Sequence, residues 1–376
     1  MKVALVHSFY RSSSPSGENM ALELQLEALR RGGFDVTVVS LATDDLLHTN
    51  RYSLNAAARV ATGLGKSPKR ALEEIKPDVV HVHNLFPNWG TRWLKEMKIP
   101  TVASIHNYRP VCASGTLYRD GKKCVLCPTE GSLNSLKYGC YRGSRLSTLP
   151  LTVATAKPFS QQDLGGNVDQ IVFLSQNQKE TYESFEGPIK NSTVLPNFVP
   201  DIRQSFPKSG DPEGWCYIGR ISEEKGILDL VNVWPTGQIL DIYGDGPEVS
   251  TIESLTGRNV RFHGLLRNEQ VPEVLEAHQG LVFPSKVLEI SPLVYIEALR
   301  SSRPVVAFSG NAAGKDIEAN GGRGGKSYVD LNELESCLRE LENSETARQG
   351  ARERYLSTFS EPVWIEGIRS IYNSVL

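Results

Sequence analysis

The sequence predicts an α/β protein of two doubly wound domains facing each other across a cleft. Short Val- and Ile-rich runs alternate with longer amphipathic stretches along almost the whole chain, as buried parallel strands alternate with helices. The alternation pauses once, over 199–214, where Pro200, Pro207, Gly210, Pro212 and Gly214 crowd a charged stretch in the manner of a linker. At 376 residues the chain is also about two and a half times the ~150 residues typical of one domain.

In the first half the strand candidates are 3–6, 36–41, 79–82, 101–105 and 171–174. Each is too short for a stable helix and ends in polar or turn residues. Between the first two, residues 20–31 place Met20, Leu24, Ala28 and Leu29 at helical spacing. After the pause the series restarts with 215–218, 239–243, 260–262, 281–283 and 305–308. The two series divide the chain into domains 1–199 and 200–358. The closing stretch, 359–376, carries Val363, Ile365, Ile368, Ile371 and Tyr372 on one helical face. It reads equally as a helix packing back on the first domain and as a terminal helix of the second.

Composition removes several function classes. Hydrophobic residues make up 40% and charged residues 22%, values that argue against a disordered chain. A formal net charge of −2 provides no global basic field for nucleic acid. No apolar run approaches the ~20 residues of a membrane span. The start, Met1-Lys2 and then four apolar residues, lacks a signal-peptide cleavage pattern. The expectation is a cytoplasmic protein without a nucleic-acid partner, any membrane contact being peripheral and at the inner face.

Two motifs carry the chemistry. Residues 283–299 read Phe-Pro-Ser-Lys-Val-Leu-Glu-Ile-Ser-Pro-Leu-Val-Tyr-Ile-Glu-Ala-Leu. A strand ends at Phe283, a loop carries Ser285 and Glu289, and a helix is predicted from Ser291 as N-cap with Pro292 at the first helical position. The N-terminus of such a helix aims free N–H groups at an anion. Glu289 and Glu297, with seven residues between them, frame that positive end. Glu297 lies in the apolar run 293–299, where an unpaired carboxylate is costly. The second motif, residues 217–226, reads Tyr-Ile-Gly-Arg-Ile-Ser-Glu-Glu-Lys-Gly and follows the first strand of the second domain. Gly219 permits a tight turn, while Arg220 as a bidentate donor and Lys225 as a point charge suit a diphosphate.

With these two motifs the chain resembles the retaining nucleotide-sugar glycosyltransferases of family 4, which have the GT-B fold. The likeness is carried by Gly219-Arg220 with Glu224-Lys225-Gly226, by Tyr-Gly-Asp-Gly-Pro at 243–247, by Phe-His-Gly at 262–264, and by the Glu289/Glu297 pair. In the first half it rests on Asp-Val-Val-His-Val-His-Asn at 78–84, Val-Ala-Ser-Ile-His-Asn at 102–107 and Val-Leu-Pro-Asn at 194–197. The resemblance implies a nucleotide-sugar donor and a glycan, lipid-linked or other hydroxyl acceptor. Arg220 and Lys225 would hold the diphosphate, Glu297 the ribose and Glu289 the sugar hydroxyls. The backbone of Ser291, Pro292 and Leu293 would cradle phosphate or sugar, and His106 would face the donor sugar. Relatives typically show a Gly-Gly pair after the first strand; this chain has Ser16-Gly17, with Gly17 left to supply a permissive backbone near the donor.

No Asp-x-Asp occurs in the sequence, so the two basic side chains, without a metal or other cofactor, are expected to neutralise the diphosphate. His81 and His83 are expected on opposite sides of their sheet, mainly structural, with His83-Asn84 an outside candidate for the cleft. Cys112, Cys124, Cys127 and Cys140 fall in one Gly-rich segment, 112–140. A Cys-x2-Cys turn flanked by two further thiols suits a structural zinc, with an iron–sulfur cluster, unligated thiols and redox or disulfide pairing as alternatives. Arg109, Arg119, Lys122, Lys123, Lys137, Arg142 and Arg145 lie around it, a surface that fits anionic lipid or a lipid diphosphate as readily as a solvated loop. Sugar transfer is the leading function. A nucleotide-sugar epimerase of the same fold and an inactive nucleotide-sugar-binding protein are the alternatives.

Overall fold

The computed structural model describes residues 1–12, 17–49, 51–201 and 212–376, so most of the 199–214 linker and Ser16 lie outside the described residues. The chain forms two compact units. Met1–Arg119, Cys124–Pro196 and Trp364–Leu376 make up one; Asp120–Lys123 and Asn197–Val363 make up the other.

In the first unit the strands are β1 (Lys2–Phe9), β2 (Asp35–Ala42), β3 (Val79–Asn84) and β4 (Thr101–Ile105), then β7 (Gln170–Phe173) and β8 (Ser192–Val194). Between β4 and β7 lies a short hairpin of β5 (Tyr118–Arg119) and β6 (Lys122–Lys123). The six-stranded sheet has the order β2-β1-β3-β4-β7-β8, and its pairs are parallel. Both faces of such a sheet are covered, which is why β3 and β4 are buried along their whole length. Strand β8 went unseen in the sequence. Its Ser-Thr-Val is a half-buried edge strand paired on one side only, too short and polar to stand out.

The last helix, Glu361–Val375, places its Trp364–Leu376 portion in the first unit. Its buried residues Trp364, Ile368, Ile371 and Tyr372 recur at helical spacing. The Tyr372 hydroxyl lies 2.8 Å from His81 Nδ1, and His81 Nε2 lies 2.9 Å from Ser104 Oγ. Burial pushes His81 down to about 3, so its ring is neutral with one N–H donor and one acceptor, each matched by a hydroxyl.

The second unit repeats the design with β9 (Trp215–Ile218), β10 (Leu240–Tyr243), β11 (Val260–Gly264), β12 (Gly280–Phe283), β13 (Val305–Phe308) and β14 (Gly325–Tyr328). The order is β11-β10-β9-β12-β13-β14, again parallel throughout. Its core gathers Trp215, Ile221, Leu230, Leu240, Val282 and Leu338 around the central strands. Strand β14, Gly-Lys-Ser-Tyr, was missed because it lacks a Val/Ile run, and the two-residue strands β5 and β6 were missed as well. In each sheet the chain order reverses once, beside β1 in the first and between β9 and β12 in the second. A ligand crevice opens at such a reversal, outside the carboxyl ends of the strands. Among the described residues no helix is long and apolar enough to cross a membrane.

Replacing Tyr372 by Phe leaves a buried imidazole nitrogen without its partner. Tyr372→Phe should lower unfolding free energy by about 1–3 kcal/mol, measured by denaturant titration. A loss within error would show that the helix docks by apolar packing alone.

Candidate active site

The reversal in the second sheet brings together the ends of β9 and β12. After β9 the chain turns through Gly219 and Arg220 into a short 3-10 turn, Glu223–Lys225, closed by Gly226. Gly226 has φ +73, and a Cβ there would lie 2.3 Å from the Pro284 carbonyl oxygen, so only glycine allows this turn to touch the loop after β12. The same contact is tied by the Lys286 N–H donating to the Glu224 carbonyl at 3.0 Å. Lys225 is thereby carried to Glu289, with which it forms an ion pair. Ser285 Oγ donates to the same Glu289 oxygen at 2.9 Å. Both members of the pair are largely but not wholly covered, which leaves their polar ends reachable by a ligand.

The Gly-Asp-Gly-Pro segment acts through backbone. A Cβ on Gly244 would lie 1.8 Å from the Gly219 carbonyl oxygen. Two hydrogen bonds, Gly219 N–H to Tyr243 O at 3.0 Å and Ile221 N–H to Asp245 O at 2.9 Å, bind the loops after β9 and β10 into one layer. Tyr217 adds a third tie, its hydroxyl donating to Arg220 O at 2.7 Å. The Arg220 side chain itself is exposed.

The second glutamate stands apart from this pair. Helix Leu293–Arg300 carries Glu297 on its second turn, between buried Tyr295, Ile296, Ala298 and Leu299. Burial raises its carboxyl above the ordinary range, with Arg300 partly opposing the shift. The helix begins at Leu293, not at Ser291 as expected, and its N-cap is Pro292 in extended conformation without a side-chain bond. Ser291 is employed otherwise: its hydroxyl accepts the Asn197 N–H at 3.1 Å, and its carbonyl accepts from Asn197 Nδ2 at 3.1 Å. The helix N-terminus therefore offers N–H groups starting from Leu293.

Asn311, absent from the sequence candidates, locks the loop after β12. Fully buried, it donates from Nδ2 to Ser285 O at 3.0 Å and accepts the Gly314 N–H at 3.0 Å as N-cap of helix Ala312–Ala319. An Asn following a predicted strand and preceding Ala-Ala-Gly is an N-cap signal that could have found it.

In the first unit the strand ends carry histidines. His106, just after β4, and His83, at the end of β3, meet through His106 Nε2 and His83 Nδ1 at 3.0 Å. His81 and His83 do not face opposite sides. Their ring centroids are 4.2 Å apart, because residues two apart on a strand share a face. Burial pushes His7 and His106 down to about 4 each, and His83 well below its ordinary value. All are neutral near pH 7, so the His83–His106 bond joins one N–H to one bare nitrogen. Gly17 opens helix Gly17–Arg31, and a Cβ there would meet nothing within 4 Å. Beside it Glu18 accepts a hydrogen bond from Asn107 Nδ2.

Residues 17–203 match the family model Glycosyltransferase Family 4, and residues 213–341 match Glycosyl transferases group 1. The chain belongs to the family 4 glycosyltransferases. The glycosyltransferase TuaC of Bacillus subtilis (strain 168), named for teichuronic acid biosynthesis, is 24% identical over 353 residues, 81% of this chain and 80% of its own length. The GT-B fold is shared with solved glycosyltransferases at lower identity. Sucrose-phosphate synthase of Thermosynechococcus elongatus superposes with a TM-score of 0.67 at 15% identity, over 99% of this chain and 98% of its own. Anabaena HepE in complex with UDP-glucose superposes at 0.63 and 14%, over the whole of both chains.

The metal expectation fares differently. Among the described residues no group of three or more His, Cys, Asp or Glu is placed to hold a metal ion, so neither the structural zinc nor the iron–sulfur alternative gains support. None of the six cysteines is in a disulfide. Cys112 Sγ lies 3.2 Å from Ser114 Oγ. Burial first, and then the nearby thiols of Cys112, Cys140 and Cys124, push Cys127 up to about 12.

Two outcomes follow from these shifts. A carboxyl raised on folding supports stability below the ordinary carboxylate range and loses that support as pH climbs through its folded value. Glu297→Gln should therefore melt higher than the parent at pH 8 and no higher at pH 4, by calorimetry. At pH 8 Cys127 should react with iodoacetamide more slowly than the same cysteine in urea, as followed by peptide mass spectrometry.

Proposed function

We propose that the chain moves a sugar from a nucleoside-diphosphate sugar, with UDP-sugars the foremost candidates, to a hydroxyl acceptor with retention of configuration and without a catalytic metal. The observation that carries this reading is the meeting of Lys225, Glu289 and Ser285 at the strand-order reversal of the second sheet, beside exposed Arg220. A relative with the same fold is solved with UDP-glucose, which agrees with such a donor.

In the proposed reaction Arg220 and Lys225 neutralise the diphosphate, and the helix N-terminus from Leu293 adds N–H donors. Lys225 leaves its pairing with Glu289 when phosphate arrives, and Glu289 turns its oxygens to the sugar hydroxyls. Glu297 binds the ribose. The bond from the anomeric carbon to the β-phosphate oxygen breaks with its electron pair on that oxygen. The acceptor oxygen bonds the same face of the carbon, and its proton passes to the departing phosphate. His106 is held neutral by burial, a hydrogen-bonding group rather than a cation. The ion pair that holds Lys225 makes this economical, because charge develops where positive charge already stands.

Incubation with a panel of nucleotide sugars, followed by analysis of nucleotide and sugar products, tests the reading. Release of nucleoside diphosphate is expected, and an epimerised donor or no turnover with any member would overturn it. Arg220→Ala and Lys225→Ala should each lower turnover by about two orders of magnitude. Activity near the parent level in both would remove the assignment of these cations.

A further inference from the structure

Residues 197–201, at the start of the Asn197–Val363 portion of the second unit, are tied to both ends of helix Leu293–Arg300, which carries Glu297. At the entrance, the Asn197 N–H donates to Ser291 Oγ and its Nδ2 to Ser291 O, each at 3.1 Å, immediately before the Pro292 N-cap. At the exit, Arg300 Nη1 donates to Pro200 O at 3.2 Å. Arg352 completes that end, donating to the two Asp201 oxygens at 2.9 and 2.7 Å and to Arg300 O at 2.9 Å. Between the two ends the Tyr355 hydroxyl donates to Val199 O at 2.9 Å, and Asn197, Phe198 and Val199 are all buried. The lengths agree: the eight-residue helix rises about 12 Å, and the run from 197 to 201, if extended, covers about 13 Å.

Asn197 does not sit as stability alone would place it. Its Oδ1 is buried and has no partner among the described residues. An unsatisfied buried acceptor opposes folding, so the amide loses at one atom while its other atom holds Ser291. Leucine, of similar shape, would avoid that loss but could not bond the Ser291 carbonyl. What the amide secures is position. The helix has no side-chain cap of its own, so nothing local fixes its first turn. Ser291 lies two residues after Glu289, which is paired with Lys225, and two before Leu293, where the free helix N–H groups begin. A tie at that junction holds both.

We propose that Asn197 is a positioning residue for the donor site: through Ser291 it sets the start of the Glu297 helix, and with it the N–H groups and carboxylate that meet the nucleotide. The inference rests on the transferase reading and deepens it, by assigning donor affinity to a residue that acts only through Ser291.

Hydrogen exchange and UDP binding test it on the full chain without any acceptor. Asn197→Leu should keep the parent melting temperature, since the lost hydrogen bond to Ser291 O is offset by removal of the unsatisfied Oδ1. Amides of 289–297 should exchange about tenfold faster in that variant, while those of β9 and β12 keep the parent rate. UDP should bind about tenfold more weakly by calorimetry. Asn197→Asp keeps the shape but sets an oxygen against Ser291 O. It should show the same local exchange and the same loss of affinity, and it decides the matter if the leucine variant does not fold. A melting temperature that falls while UDP affinity holds makes the amide a purely structural group and overturns the proposal. Exchange unchanged at 289–297, or raised throughout the second unit, overturns it as well. If the parent binds none of UDP, GDP and ADP, the donor reading falls, and the exchange comparison still decides whether Asn197 holds the helix.

Discussion

Parallel hydrogen bonding in both sheets is the constraint from which the remaining features follow. Strands that all run one way gather their carboxyl ends at one edge, and each crossover must return on a covered face. Polar groups are excluded from those faces, so the chemistry collects in the loops beyond the strand ends. The order reversal between β9 and β12 separates two of these loops enough to open a crevice, and Lys225 and Glu289 enter it from opposite sides.

Close backbone packing makes that crevice rigid. Gly226 against Pro284 and Gly244 against Gly219 remove the space that any side chain would need, and backbone hydrogen bonds fill the contact. The glycines of the Gly-Asp-Gly-Pro segment thus pack against the backbone on either side of Arg220, at Gly219 and Ile221. Asn311 does the same for Ser285 from the other side. That frame holds an ammonium and a carboxylate as an ion pair at the strand-order reversal.

The first unit achieves a different electrostatic state with a sheet that is likewise parallel but differently ordered. Burial along β3 and β4 keeps His81, His83 and His106 neutral, so its strand ends carry hydrogen-bonding groups and not cations. Arg59, Arg92, Arg109 and Lys157 line one cavity together with His83 and His106.

The sequence by itself determined the sheet class, ten of the strands and the identity of the charged residues, because Val/Ile runs and Glu-x7-Glu spacing are local properties. It left β8 and β14 unseen, since edge strands of polar residues carry no such run. It placed the helix start at Ser291, whereas the Asn197 N–H and amide take up that serine in tertiary structure. Only tertiary structure decided that Lys225 meets Glu289, that His83 meets His106, and that Glu297 is raised while Glu289 is ion-paired. It also decided that none of the four clustered cysteines is in a disulfide. The physical reason is common to all these cases. Residue type sets what a group can do, but partners distant in sequence and the local burial set what it does.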